Sequence, residues 1–186
     1  MMYDIIIIGA GPAGISAGLY AVSRGKKTLV IEKHEVGGLI KKVSSVTHYS
    51  GLIEQETGAT FAARLKKQAE NAGVSIVQET VTEVSLTPTI KTVTTDTHTY
   101  EAPHIILACG TTPRRLGIPG ELELSGKGVC QNATKDAPLC AGKHVYVVGG
   151  ADGAIKEALY LAGFAKKLTF FILKNNWAAS QNLKKS

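Results

Sequence analysis

The chain has 186 residues, of which 44% are hydrophobic, a composition that supports a packed core and excludes wholesale disorder. Its 21 basic and 15 acidic residues give a formal charge of +6, but no nucleic-acid-binding motif organises the basic residues, so nucleic acid is excluded as the expected partner. The longest apolar run near the N-terminus is too short for a signal peptide or a membrane span, and we expect a cytoplasmic protein without membrane association.

The first 31 residues have the pattern of a strand–helix–strand unit. Residues 3–8 form an apolar strand of the kind that a parallel sheet buries on both faces. Residues 12–24 are predicted to be helical, because apolar residues recur at helical spacing after a proline that suits a first turn. A glycine ends this helix, and residues 27–31 form the second strand. The pattern is typical of an α/β, Rossmann-like domain.

Between the first strand and the helix, residues 9–14 read Gly-Ala-Gly-Pro-Ala-Gly and fit the dinucleotide-binding pattern G-x-G-x-x-G. Gly9 permits a tight turn, Gly11 lets the backbone approach a diphosphate, and Gly14 lets the helix pack closely on the strand. Glu32 ends the second strand, eighteen residues after Gly14, where it can accept hydrogen bonds from ribose hydroxyls. The pattern predicts dinucleotide binding without separating FAD from NAD; the alternative is a glycine-rich turn beside a surface glutamate.

The chain continues with a loop, a helix and two kinds of strand. Residues 32–56 have no firm period and predict a long functional loop. A helix over 58–72 and a strand over 74–78 follow. From 81 to 100, β-branched residues between polar turns predict a small antiparallel meander, and residues 105–108 return to a buried strand.

The second half of the chain contains a loop-rich stretch and a second strand–glycine–helix–strand unit. Residues 109–142 are rich in proline and glycine and are predicted as loops, with a domain boundary near Pro113. A strand over 144–148 precedes a glycine pair, a helix over 152–164 and a strand over 168–173. This repeat predicts a second Rossmann-like unit.

Three short stretches accompany the first glycine loop: Val36-Gly37-Gly38, Ala108-Cys109-Gly110 and Leu116-Gly117-Ile118-Pro119-Gly120. With these stretches the chain resembles low-molecular-weight thioredoxin reductases over residues 3–174. The resemblance implies FAD as the cofactor and a homodimer as the assembly. It also implies an α/β fold in which residues 1–112 form a Rossmann-like, FAD-binding, three-layer ββα-type domain with the small antiparallel meander. Residues 113–186 would form part of a second, NAD(P)-binding-like Rossmann domain.

The resemblance further implies which residues hold FAD. The first loop, Glu32 and Lys33 would hold the ADP half. Gly37 and Gly38 would approach the flavin, and Val81 would lie near the adenine. The full set of implied positions is Gly9, Ala10, Gly11, Pro12, Ala13, Gly14, Glu32, Lys33, Gly37, Gly38, His48, Val81, Ala108, Cys109 and Gly110. The histidines and cysteines lack metal-ligand spacing, so no metal is expected.

Replacements in the second half change the expected chemistry. The family's redox motif Cys-Ala-Thr-Cys-Asp aligns with residues 132–136, which read Asn-Ala-Thr-Lys-Asp, so the usual disulfide chemistry is excluded at that position. In the second glycine loop Ala151 occupies the middle glycine position, where a Cβ would intrude on a diphosphate. After the last strand, Leu173 and Lys174 leave one charge where the family carries a basic cluster. A Rossmann-like scaffold is therefore favoured over an intact NADPH site.

The chain also ends before the segment with which the family completes its FAD domain. That segment carries a Gly-Asp motif near the flavin. Three expectations follow as alternatives: the sequence is a fragment, a partner supplies the missing part, or FAD binding is weakened.

Cys130 and Cys140 flank the altered motif with nine residues between them. One hypothesis is that they are a relocated catalytic redox pair, since Cys130 lies two positions before the family's first redox cysteine. The alternative is that both are small buried fillers, because cysteine is among the most buried residue types.

Three functions compete on these observations. The first is an FAD-dependent oxidoreductase that receives electrons from ferredoxin or another flavin, instead of NADPH, and passes them to a disulfide or another acceptor. The second is a ferredoxin/flavodoxin–NAD(P) reductase-like enzyme, which normally lacks the redox disulfide. The third is a non-catalytic flavin-binding redox module. We prefer the first, with a ferredoxin or thioredoxin-like protein as the redox partner.

Overall fold

The structure is a computed structural model that describes residues 2–43, 45–47, 49–112 and 114–172. The chain divides into two compact units, Met1–Pro113 and Arg114–Ser186. Pro113, where the sequence predicts a domain boundary, lies outside the described residues. Among the helices in the described ranges, none has the length and apolar character needed to cross a membrane.

Ten elements are described in the first unit. In chain order they are β1 (Ile5–Ile8), α1 (Pro12–Ser23), β2 (Thr28–Glu32), a 3-10 helix (Gly38–Lys42), α2 (Gly58–Asn71), β3 (Ser75–Gln78), β4 (Val81–Leu86), β5 (Lys91–Thr95), β6 (Thr99–Ala102) and β7 (His104–Leu107). The strands and helices agree with the sequence-based expectations to within two residues at each end. The 3-10 helix is the difference, because the sequence predicts only a loop in that segment.

A parallel sheet in the order β3-β2-β1-β7 forms the middle layer of this unit. Side chains alternate between the two faces of a strand, so neighbouring residues of β1 enter different cores. Ile7 packs with Ile15 of α1 and Phe61 of α2. Ile6 packs instead with Val93 of β5, in the antiparallel sheet formed by β4, β5 and β6. Helices, parallel sheet and antiparallel meander form three layers, which confirms the predicted α/β fold class.

The carboxyl ends of three adjacent strands meet at one edge of the parallel sheet. β1 pairs in parallel with β2 from Ile5 and Thr28 onwards, and with β7 from Ile5 and His104 onwards. Gly9 after β1 and Ala108 after β7 are therefore neighbours, and Glu32 ends the strand on the other side. Ligands of open α/β sheets bind at this edge.

A half-buried carboxylate joins the end of β3 to the meander. Glu79 accepts hydrogen bonds from Thr95 Oγ1 at 2.6 Å, His98 Nδ1 at 2.8 Å and Tyr100 OH at 2.9 Å. Burial opposes the charge of Glu79, but these hydrogen bonds outweigh it and lower the pKa of Glu79 to about 2. Burial and the neighbouring carboxylate in turn raise the pKa of Tyr100 to about 12. The charged carboxylate of Glu79 therefore stabilises the junction between β3 and the meander.

Four elements are described in the second unit: α3 (Ala133–Cys140), β8 (His144–Val148), α4 (Asp152–Ala162) and β9 (Lys167–Phe171). β8 and β9 are parallel neighbours, in agreement with the predicted second Rossmann-like pattern. Helix α3 corrects the sequence-based expectation of loops over 109–142. Pro138 lies inside this helix, and a proline in a sequence argues against a helix. The helix is nevertheless capped, because the Asn132 side chain accepts a hydrogen bond from Lys135 N at 2.9 Å.

Candidate functional site

The first glycine loop combines two packing requirements with one open position. Gly9 has φ +105°, and a Cβ there would overlap the carbonyl oxygen of Ala108. A Cβ on Gly14 would overlap the carbonyl oxygen of Gly9. By contrast, outside residues 10–12 no described atom lies within 4 Å of a Cβ built on Gly11. The fold itself therefore requires Gly9 and Gly14, whereas the space beside Gly11 is open to a ligand that approaches the backbone.

Gly11 is also the N-cap residue of α1, and Pro12 occupies the first turn while Ala13 is exposed. Within the described part of the chain, no side chain caps this helix, and its first turn contains no acidic residue. The positive end of the helix dipole and its amide donors are therefore not neutralised by the helix's own side chains. An anionic group such as a diphosphate fits this end of α1.

Glu32 is fixed against the glycine loop by two backbone donors. Ala10 N donates to Glu32 Oε2 at 2.8 Å, and His34 N donates to Glu32 Oε1 at 3.0 Å. The sequence predicts an acidic residue near the loop, but it does not predict the direct bond to Ala10. This bond holds a half-buried carboxylate beside the loop, where the acid of a dinucleotide fold meets a ribose.

The glycine pair before the 3-10 helix lies against the same loop. Gly37 N donates to Ala10 O at 2.9 Å, and a Cβ built on Gly38 would lie 3.6 Å from Gly11 Cα. Gly37 has φ +119°, and its Cα faces α2 so closely that a Cβ would lie 2.5 Å from Ala62 Cβ. The structure thus places the stretch around Gly37 beside the loop around Gly11, although these two glycines are 26 residues apart in the sequence.

The stretch after β7 completes the cluster. Ala108 N donates to Ile8 O at 2.8 Å, and the exposed Cys109 thiol lies 3.7 Å from the same oxygen. Gly110 has φ +64°, a conformation that favours glycine. All three residues therefore sit at the carboxyl edge of the sheet beside the glycine loop.

Other predicted positions lie apart from this cluster or outside the described residues. Lys33 is exposed after β2, and Val81 packs against the core between the sheet and the meander. His48 lies outside the described residues, as do Leu173 and Lys174.

A cavity of about 500 Å³ in the first unit does not follow from the sequence. Glu32 and Val36 line one part of it, and Ala62 and Lys66 of α2 line another. No single-residue pattern marks it, because it arises from the packing of α2 beside the ends of β2 and β3.

The second glycine loop has the backbone of the first but a different surface. Gly149 has φ +144°. Ala151 is the N-cap of α4 and so occupies the position that Gly11 occupies at α1. A methyl group therefore stands where the first loop is open. Asp152 follows in the first turn of α4, so a carboxylate lies at the helix end that would otherwise attract a phosphate. Both features oppose binding of an NADPH diphosphate.

Cys130 and Cys140 are both free thiols, one half-buried and the other buried. Burial, the Asp136 charge and Cys140 together raise the pKa of the Cys130 thiol. Burial also raises the pKa of Glu157, which lies near Asp136. In the described ranges, no group of three or more histidine, cysteine or acidic residues is arranged to hold a metal ion.

Comparison with known proteins places this geometry in a family. Residues 3–182 match the sequence model for pyridine nucleotide-disulphide oxidoreductases. A thioredoxin reductase from Peptoclostridium acidaminophilum is 40% identical over 182 residues, covering 98% of this chain and 58% of that protein. The crystal structure of Lactococcus lactis thioredoxin reductase aligns with a TM-score of 0.74 at 31% identity, over 98% of this chain and 60% of that one.

A third relative carries both ferredoxin and flavin in its name. The ferredoxin-flavin thioredoxin reductase of Clostridium acetobutylicum is 31% identical, with a TM-score of 0.56 over 97% of this chain and 63% of that one. In all three comparisons the chain spans about three-fifths of the relative's length.

Proposed function

This chain belongs to the pyridine nucleotide-disulphide oxidoreductase family, and from that premise we propose that it is an FAD-dependent oxidoreductase of the thioredoxin-reductase type. The observation that carries the proposal is the open position at Gly11, set between two glycines that the fold requires and beside the fixed Glu32 carboxylate.

The residues at this edge of the sheet fit the parts of FAD. The amides at the start of α1 suit the diphosphate, and Glu32 suits the ribose hydroxyls. Gly37, Gly38 and the stretch 108–110 surround the loop closely enough to line the rest of the cofactor. When bound, FAD supplies reversible transfer of two electrons. The protein's own contribution is to bind and orient the cofactor.

We propose that the electrons come from ferredoxin or another flavin instead of NADPH. The methyl of Ala151 and the carboxylate of Asp152 support this choice, because both disfavour a diphosphate at the second loop. Similarity to a ferredoxin-flavin thioredoxin reductase supports it as well. The formal charge of +6 favours association with an acidic carrier protein. A disulfide is the proposed acceptor, and we propose a cytoplasmic homodimer as the working form.

A ferredoxin/flavodoxin–NAD(P) reductase-like function is the second candidate. The observation that favours it is the replacement of both motif cysteines by Asn132 and Lys135. A non-catalytic flavin-binding module has no separate observation in its favour, although it shares the same FAD cradle.

Anaerobic reduction of the FAD-loaded chain separates these functions. We expect the flavin absorbance to bleach with reduced ferredoxin or dithionite and to stay unchanged with NADPH or NADH, because the second loop opposes nucleotide binding. Bleaching by NADPH or NADH would instead establish the second candidate. Bleaching by dithionite alone, without any response to a protein donor or a nucleotide, would support the non-catalytic module.

A further inference from the structure

A fully buried carboxylate lies just before α2 and is paired with an arginine of that helix. The side chain of Glu56 has no exposed surface, although burial of a charged carboxylate removes its hydration. Arg64 Nη2 donates to Glu56 Oε2 at 2.5 Å, and Arg64 Nε donates to Glu56 Oε1 at 3.2 Å. The two donors of one guanidinium thus meet the two oxygens of one carboxylate. Hydrogen bonding from Arg64 lowers the pKa of Glu56, so the carboxylate is charged at neutral pH.

The same pair fixes the path of the loop that leads into α2. Ile53 N donates to Glu56 Oε2 at 3.3 Å, and Arg64 Nη2 donates to Gly51 O at 3.3 Å. We call residues 51–56 the anchored loop. Its backbone is therefore tied to α2 through one ion pair.

The anchored loop and the start of α2 support the 3-10 helix and the residues after it. Val46 N donates to Glu56 O at 2.8 Å, and Gly58 N donates to Val43 O at 3.0 Å. Gly58 also packs closely on the 3-10 helix, since a Cβ built on it would lie 1.9 Å from Ile40 O. The position of the 3-10 helix therefore depends on the backbone that the ion pair holds.

The 3-10 helix begins at the glycine pair that lies against the first glycine loop. Gly37 N donates to Ala10 O, and Gly38 lies beside Gly11. On the proposed function, these glycines line the bound cofactor. Successive contacts thus lead from the ion pair, through the anchored loop and the 3-10 helix, to the cofactor site.

We propose that Glu56 and Arg64 are positioning residues, which set the affinity for FAD by holding the 3-10 helix and its glycine pair against the first glycine loop. This inference rests on the proposed function, because FAD is the ligand concerned. Neither residue is among those that the resemblance implies for FAD binding.

Stability and positioning depend on different features of the pair. Removal of one partner leaves a buried charge unpaired, which lowers stability, whereas removal of both charges avoids that cost. The position of the loop depends instead on the hydrogen bonds from Arg64 to Glu56 and to Gly51, which methionine at position 64 cannot donate. The double variant Glu56→Gln/Arg64→Met therefore separates the two effects.

Hydrogen–deuterium exchange followed by mass spectrometry tests the positioning in the cofactor-free chain. The double variant should melt close to the unaltered chain, and Arg64→Met alone well below it. In the double variant, the peptides that contain Val46 and Gly58 should exchange faster, because the anchored loop holds their bonds, and β1 should exchange as before. Unchanged exchange of both peptides in the folded double variant would overturn the inference.

Equilibrium dialysis against FAD measures the consequence for the cofactor. The double variant should bind FAD more weakly than the unaltered chain, by roughly tenfold or more. Lys66→Met/Glu70→Gln is the matched control and should bind FAD normally, because this pair lies on the same helix with both side chains more than half exposed. A double variant that melts normally and binds FAD with unaltered affinity would show that the ion pair is merely structural.

Arg64→Lys provides a second variant that retains the charge. Its FAD affinity should lie between those of the unaltered chain and the double variant, because one lysine nitrogen replaces the two that Arg64 uses towards Glu56 and Gly51. Unaltered exchange and unaltered affinity in this variant would contradict the role assigned to the arginine. Absence of FAD binding by the folded, unaltered chain would instead refute the proposed function itself, so the two failures are distinguishable.

Discussion

A methyl group would fit at Gly11 but would overlap the backbone at Gly14, although both residues belong to the same loop. We expect Gly14→Ala to lower the melting temperature of the cofactor-free protein markedly, because its Cβ would overlap the carbonyl oxygen of Gly9. Gly11→Ala should leave it nearly unchanged, since outside residues 10–12 no described atom lies within 4 Å of its Cβ. Thermal unfolding followed by circular dichroism measures both. Equal losses in the two variants would show that Gly11 is also needed for packing.

Among single residues of the site, the sequence predicts some features and not others. The roles of Gly9, Gly11 and Gly14 follow from their spacing, because strand, turn and helix fix their environment locally. The bond from Ala10 N to Glu32 does not follow, since it depends on how β1 and β2 pair. Helix α3 likewise does not follow, because Pro138 within it argues against a helix.

At the scale of elements, Glu79 couples the parallel sheet to the meander through a charge that acid removes. The folded-state pKa of about 2 lies below the ordinary value of 4.5, so the stabilisation is fully present above pH 4.5 and is lost as the pH falls towards 2. Glu79→Gln should lower the melting temperature at neutral pH by roughly 2–4 °C for each kcal/mol lost. It should also weaken the dependence on pH between these values.

A pH series of thermal unfolding measures this effect. Glu83→Gln is the matched control, because it removes an exposed carboxylate from the neighbouring strand β4. If the Glu79 variant and the unaltered chain lost stability in parallel below pH 4.5, another group would be responsible for the acid sensitivity.

Elements with a strong apolar period are the ones that the sequence predicts best. The strand–helix–strand order of the first unit and of the second follows from periodicity and glycine positions. Two short elements without a period, the 3-10 helix over Gly38–Lys42 and α3, do not follow from the sequence. Their stability comes from caps and from contacts with distant segments, such as the packing of Gly37 on α2.

At the scale of the whole molecule, the two glycine loops differ in the groups at their helix starts. The first presents an open, uncharged helix start, and the second presents a methyl group and a carboxylate. On the proposed function, this difference favours a nucleotide at the first loop over one at the second. An electron donor other than a nicotinamide cofactor is consistent with this asymmetry.

FAD titration of the 186-residue chain tests whether the first glycine loop holds the cofactor. Equilibrium dialysis against FAD should show saturable binding by the unaltered protein and a loss of affinity of roughly tenfold or more for Gly11→Ala, because the added Cβ would occupy the space that the diphosphate needs. Gly153→Ala in the second unit, where a Cβ also meets no described atom, should bind FAD as the unaltered chain does. Absence of binding by the folded, unaltered chain, or equal affinity in the Gly11 variant, would contradict the account.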